Sequence, residues 1–125
     1  DILNPKFKHQ QQIGDFIYTA KAYMDPYGPR KPYLLVQCYH SGVVDKNFLA
    51  GYALFEIFGK GHNQWLESAD TNVYKDFRGQ NIASTMYAYT KMLGNDIKPS
   101  TVQLKAGKNM WKAWNKSGEA KHLVK

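Results

Sequence analysis

Apolar and polar residues alternate along this chain in short runs that predict strands first and helices late. Phe16 to Met24 is rich in aromatic and β-branched types and reads as a strand. Asp25 to Pro32 follows with three prolines and a glycine in eight residues, a composition that continues neither helix nor strand. Tyr33 to His40 puts Leu34, Val36 and Cys38 on one face of a second strand, and the loop between the two predicts antiparallel pairing. Phe48 to Phe58 is almost continuously apolar and predicts a third strand, central in its sheet. A turn at Gly59 to Asn63 leads into a fourth strand, Gln64 to Tyr74. The polar residues 1 to 12, including Gln10-Gln11-Gln12, read as a loose lead-in or a short helix.

The period then changes. Ile82, Met86, Tyr89 and Leu93 recur at helical spacing over Gln80 to Leu93, and Gly94 stands where a C-terminal cap belongs. Thr101 to Ala106 predicts a short strand, Lys108 to Lys116 a second helix carrying Trp111 and Trp114, and His122 to Val124 a last strand. The resulting order, β-β-β-β-α-β-α-β, predicts one α+β domain over residues 1 to 125. Its sheet is mixed and mostly antiparallel, of six to seven strands, with a right-handed crossover in its β-α-β-α second half.

Composition adjusts this picture. A chain of 125 residues suits one domain with one core. A net charge of +7 makes it a basic protein that suits an anionic partner: nucleic acid, a membrane surface or a phosphate-rich cofactor. Its Lys and Arg residues are scattered, however, and no zinc-finger or helix-turn-helix spacing is present, so nucleic acid is possible but not favoured. The single cysteine, Cys38, excludes an intramolecular disulfide. With no long apolar run and no signal-peptide pattern, the expectation is a cytoplasmic protein without a membrane span. The first residue is Asp1 rather than Met, which suggests processing, trimming or a fragment.

The chemistry concentrates in Asn72 to Ser84. An extended lead-in gives way to a charged turn, a glycine-containing loop and a helix start. That order presents backbone N–H groups to an anion, because the first N–H groups of a helix lack internal partners. Arg78 adds a charge-assisted fork.

Val73-Tyr74-Lys75-Asp76-Phe77-Arg78-Gly79-Gln80-Asn81-Ile82-Ala83-Ser84 resembles the acyl-CoA-binding motif of the GNAT family of N-acetyltransferases, Val-x-Pro-x-Tyr-Arg-Gly-x-Gly-Ile-Gly/Ala-Ser. Val73, Phe77, Arg78, Gly79, Ile82, Ala83 and Ser84 match in unbroken register. Asn109 to Gly118 resembles the later helix of that family. The resemblance implies an acyl-CoA N-acyltransferase-like fold with acetyl-CoA, or another acyl-CoA, as co-substrate. It assigns cofactor binding to Val73, Tyr74, Arg78, Gly79, Gln80, Asn81, Ile82, Ala83, Ser84 and Asn109, and it implies no metal. The implied reaction is direct attack of an amine, from a small molecule or a protein, on the thioester. Asn81 replaces the second glycine of the motif, a substitution the turn tolerates because Asn adopts positive φ more readily than most residues. The family's usual helix pair between the first two strands has no room in Asp25 to Pro32.

As general base, Glu67 on the fourth strand and Glu56 on the third are the candidates, each alternatively an ordinary strand residue. Asn109 reads equally as a helix N-cap. Trp111 and Trp114 read as core anchors, with Trp114 standing where the family often places a tyrosine. His9, His40, His62 and His122 show no metal-ligand spacing and suit surface or loop roles. Cys38 reads as a small core residue and Gly59-Lys60-Gly61 as a hairpin turn. Against the acyltransferase stands a catalytically inactive binding or structural protein of the same fold, whose basic surface contacts nucleic acid or a protein. A nucleic-acid binder using exposed Tyr and Lys residues is a third reading.

Overall fold

The longest apolar run of the sequence becomes the longest strand among the described residues, Leu49–Lys60. In the computed structural model, which describes residues 7–24, 31–94 and 96–98, it is the fourth strand of an α+β fold. The elements are β1 (Lys8–Ile13), β2 (Phe16–Met24), β3 (Pro32–Tyr39), β4 (Leu49–Lys60), β5 (Asn63–Val73), α1 (Ile82–Met92) and β6 (Ile97–Lys98). The six strands form one mixed sheet in chain order, antiparallel throughout except for the parallel pair β5–β6. α1 makes the crossover that this parallel pair requires.

One expectation is overturned at the N-terminal end. Lys8 to Ile13 belongs to neither a loose lead-in nor a helix; it is an edge strand, paired with β2 from Ile13↔Phe16 to Lys8↔Lys21. The two-residue turn Gly14-Asp15 sets that register, with Gly14 at φ 61°. Its three glutamines concealed the strand, because an edge strand with one wet face needs little apolar alternation.

The core lies between α1 and one face of the sheet. Strand alternation directs Tyr18, Ala20 and Ala22 of β2, Leu34, Val36 and Cys38 of β3, and Ala53, Phe55 and Ile57 of β4 toward the helix, which answers with Ile82, Met86, Tyr87 and Tyr89. Full burial of a side chain such as Leu34 or Phe55 contributes about 1.5–3 kcal/mol. Leu66 of β5 and Ile97 of β6 close the core beneath the crossover. β4 is central, as its apolar run predicts, yet only one of its faces is fully buried: Tyr52, Leu54, Glu56 and Phe58 on the other remain half-buried.

Two irregularities shape the end of the sheet nearest the helix start. Cys38 pairs with Gly51 and Tyr39 with Leu49, so Ala50 is an extra residue on β4. Leu54 pairs with Asp70 and Phe55 with Ser68, so Ala69 is an extra residue on β5. The second bulge turns both Ser68 and Thr71 toward α1. The expected helix start at Gln80 moves to Ile82, while the expected cap is found: Gly94, at φ 100°, donates its N–H to Lys91 O at 2.9 Å. The expected strands at Thr101 to Ala106 and His122 to Val124, the helix at Lys108 to Lys116 and Asn109 lie outside the described residues. Among the described residues, no helix is long and apolar enough to cross a membrane.

Candidate functional site: a cleft at the start of the helix

The chain leaves the sheet at Val73 through a short 3₁₀ turn, Lys75–Phe77. Three contacts fix the direction of exit. Tyr74 N–H donates to Ala50 O at 2.9 Å, and Phe77 packs edge-on against Phe16 (6.5 Å, 83°) and flat against His40 (4.7 Å, 27°). The ring of Phe77 thus anchors the turn to β2 and to the end of β3.

Past that anchor the backbone bends twice through left-handed conformations, at Gly79 (φ 83°) and Asn81 (φ 59°, ψ 24°). Asn81 therefore holds a left-handed conformation, which Asn adopts more readily than most residues. Its side chain makes no capping hydrogen bond, and the first helical bond runs from Thr85 N–H to Asn81 O at 2.9 Å. The N–H groups of Ile82, Ala83 and Ser84 thus open the helix without intrahelical acceptors, at the positive end of its dipole.

Beside these donors lies an open cleft of about 620 Å³. One wall is the end of β5, Thr71 to Val73; the other is Phe77 to Gly79 and the first turn of α1, Asn81 to Ser84. Val73, Phe77, Ile82 and Ala83 make the lining largely apolar, and it contains no carboxylate. Arg78 is its one cation. The Arg78 Nε–H donates to Val73 O at 3.0 Å, which ties the guanidinium to the rim while its terminal N–H groups have no partner among the described residues. An anion joined to an apolar body matches this combination of donors and walls.

The structure brings most of the sequence-predicted binding residues together. Val73, Arg78, Gly79, Asn81, Ile82, Ala83 and Ser84 all line the cleft, whereas Tyr74 and Gln80 do not and are exposed. Thr71 lines it without being singled out by the motif. Its Oγ1 lies 3.2 Å from Ser68 Oγ and 3.1 Å from the hydroxyl of buried Tyr87, which makes it a fixed polar point in the apolar wall. Strand alternation from Val73 back to Thr71 would have found that residue; Ser68 would not follow, because its orientation depends on the Ala69 bulge.

The two carboxylates proposed from the sequence stand elsewhere. Glu56 and Glu67 are direct cross-strand partners on the sheet face away from α1. Lys31 Nζ lies 3.5 Å from Glu56 Oε1, and Trp65 Nε1–H donates to Glu67 Oε2 at 2.9 Å. Lys98 Nζ sits over the Trp65 ring at 4.3 Å, adding positive charge to that face. Neither carboxylate lines the cleft.

Cys38 and His9 lie within the packed fold. Cys38 is fully buried, and burial pushes its thiol up to about 11. His9, expected in a surface role, instead holds β1 to the helix: its Nδ1 lies 2.7 Å from the hydroxyl of buried Tyr89. Among the described residues, no group of three or more His, Cys, Asp or Glu side chains is placed to hold a metal ion.

No family model matches the chain, and no match was found among curated proteins or among solved structures.

Proposed function

We propose that this protein binds an acyl-CoA in the cleft at the start of α1 and acts as a small N-acyltransferase of the GNAT type. The observation that carries the reading is the convergence, at one cleft, of Arg78, the left-handed Gly79 and Asn81, and the uncapped first turn of α1. These positions occupy the same register as the acyl-CoA motif that Val73 to Ser84 resembles. In this reading the cofactor's pyrophosphate meets the N–H groups of Ile82 to Ser84 and the Arg78 fork, and its apolar arm runs along Val73 toward Thr71. The thioester is supplied by the cofactor; the protein orients it for attack by an amine.

A second reading, a non-catalytic acyl-CoA-binding protein, is favoured by one observation. Glu56 and Glu67 lie on the sheet face away from α1, so neither is in the cleft to take a proton from an attacking ammonium.

Calorimetric titration with acetyl-CoA tests the first reading. Binding by the native chain and its loss in Arg78→Glu is the expected result, and absence of binding at millimolar acetyl-CoA overturns it. Binding without thiol release across a broad screen of amines selects the non-catalytic reading.

A further inference from the structure

On the face away from α1, strands β1, β2 and β3 hold a second concavity, of about 330 Å³. Strand alternation fixes which side chains reach it: His9 and Ala20 point to the helix, so Lys8, Gln10, Thr19 and Lys21 point the other way. Gln37 and Tyr39 line it from β3, and Val44 from the loop that follows.

Its charge arrangement is unusual for a sheet surface. Lys8 and Lys21 are direct cross-strand partners, a placement in which like charges oppose pairing. Both are exposed, neither has an ion-pair partner among the described residues, and no carboxylate lines the pocket. This contrasts with Lys31, paired with Glu56, and Lys98, seated over Trp65. Asp45, whose charge reaches Tyr39, has its carboxylate engaged by Asn47 N–H at 2.9 Å.

The floor between the two lysines is neutral and organised. Buried Tyr39 donates its hydroxyl to Gln37 Oε1 at 3.0 Å, and Thr19 lines the same pocket. That bond occupies the amide oxygen of Gln37 and leaves its N–H groups as donors. Two ammonium groups above fixed neutral donors, in a cavity near the lower end of the usual small-molecule range of about 300–1,000 Å³, match a compact dianion. We infer that this pocket is a second binding site, separate from the α1 cleft, for a small molecule carrying a phosphate monoester.

Heteronuclear NMR titration with inorganic phosphate, glycerol phosphate and a single-stranded oligodeoxynucleotide tests the site, with sodium chloride at matched ionic strength as control. Both small phosphates are expected to shift the amide signals of Lys8, Thr19, Lys21 and Gln37 to saturation. The double variant Lys8→Gln/Lys21→Gln is expected to bind at least about tenfold more weakly, Lys21→Arg to retain binding, and Arg78→Glu to leave it unchanged. An equal response to chloride, an undiminished response in the double variant, or shifts produced by the oligonucleotide alone would overturn the inference.

Discussion

Arg78 is bonded through its Nε to the carbonyl of Val73 at 3.0 Å, so the cation at the mouth of the cleft is held by the strand that forms the cleft wall. A lysine would keep the charge but lose this tether and the planar fork. Arg78→Lys is therefore expected to weaken acetyl-CoA binding by about tenfold while leaving the folded state intact, since the residue lies at the surface. Calorimetry paired with a thermal melt checks both halves; undiminished affinity would show that charge alone suffices.

Gly51 holds the opposite side of the same strand end. A Cβ there would come within 2.9 Å of Asn72 O and 3.2 Å of Val73 Cα, both backbone atoms. Gly51→Ala must push β4 and β5 apart where the cleft wall begins, at a cost of about 1–3 kcal/mol. Urea unfolding is expected to show that loss, and acetyl-CoA titration a parallel loss of affinity.

Asn81 offers a contrast in sign. Its φ of 59° is one that glycine accepts freely and a β-branched residue resists. Asn81→Gly is expected to be close to neutral, and Asn81→Val to cost about 1–2 kcal/mol. Equal melting temperatures for the two variants would refute the account of this turn.

How much of this was legible in the sequence depends on which physical rule governed each residue. Strands β2 to β5 and α1 were readable because Leu34, Val36 and Cys38, or Ile82, Met86 and Tyr89, repeat with the period of their element. β1 was not readable: its pairing comes from the Gly14-Asp15 turn and from tertiary contact, while its own side chains are mostly wet. Within the cleft, Arg78 to Ser84 were legible as a loop leading into a helix start. The pairing of Glu56 with Glu67 depends on strand register, which the sequence of either strand alone does not contain.

Cys38 gives the stability a pH dependence of definite sign. Burial raises its thiol from 9.0 to about 11, against a lowering by the hydrogen bond with Tyr18. The unfolded chain gives up this proton near pH 9, while the folded chain retains it until about 11. The stabilisation is complete below the lower value and is lost as the pH rises through the higher one, an effect of about 2–3 kcal/mol. Cys38→Ala loses stability at neutral pH through the cavity it leaves, yet its stability is expected to fall less steeply between these two pH values. Urea unfolding across that range, on both chains, compares the slopes.

The identity of strand order and chain order bears on how the molecule assembles. From β1 to β5 each new strand docks beside the one synthesised just before it, so hairpin closure needs only short loops and a low contact order favours rapid formation. The parallel β5–β6 pair is different, because it must wait for α1 to be laid across the sheet. The cleft sits at that junction, between the end of β5 and the start of α1. It closes only once the chain has passed from β5 into α1, so a growing chain acquires strands β1 to β5 before it acquires its site.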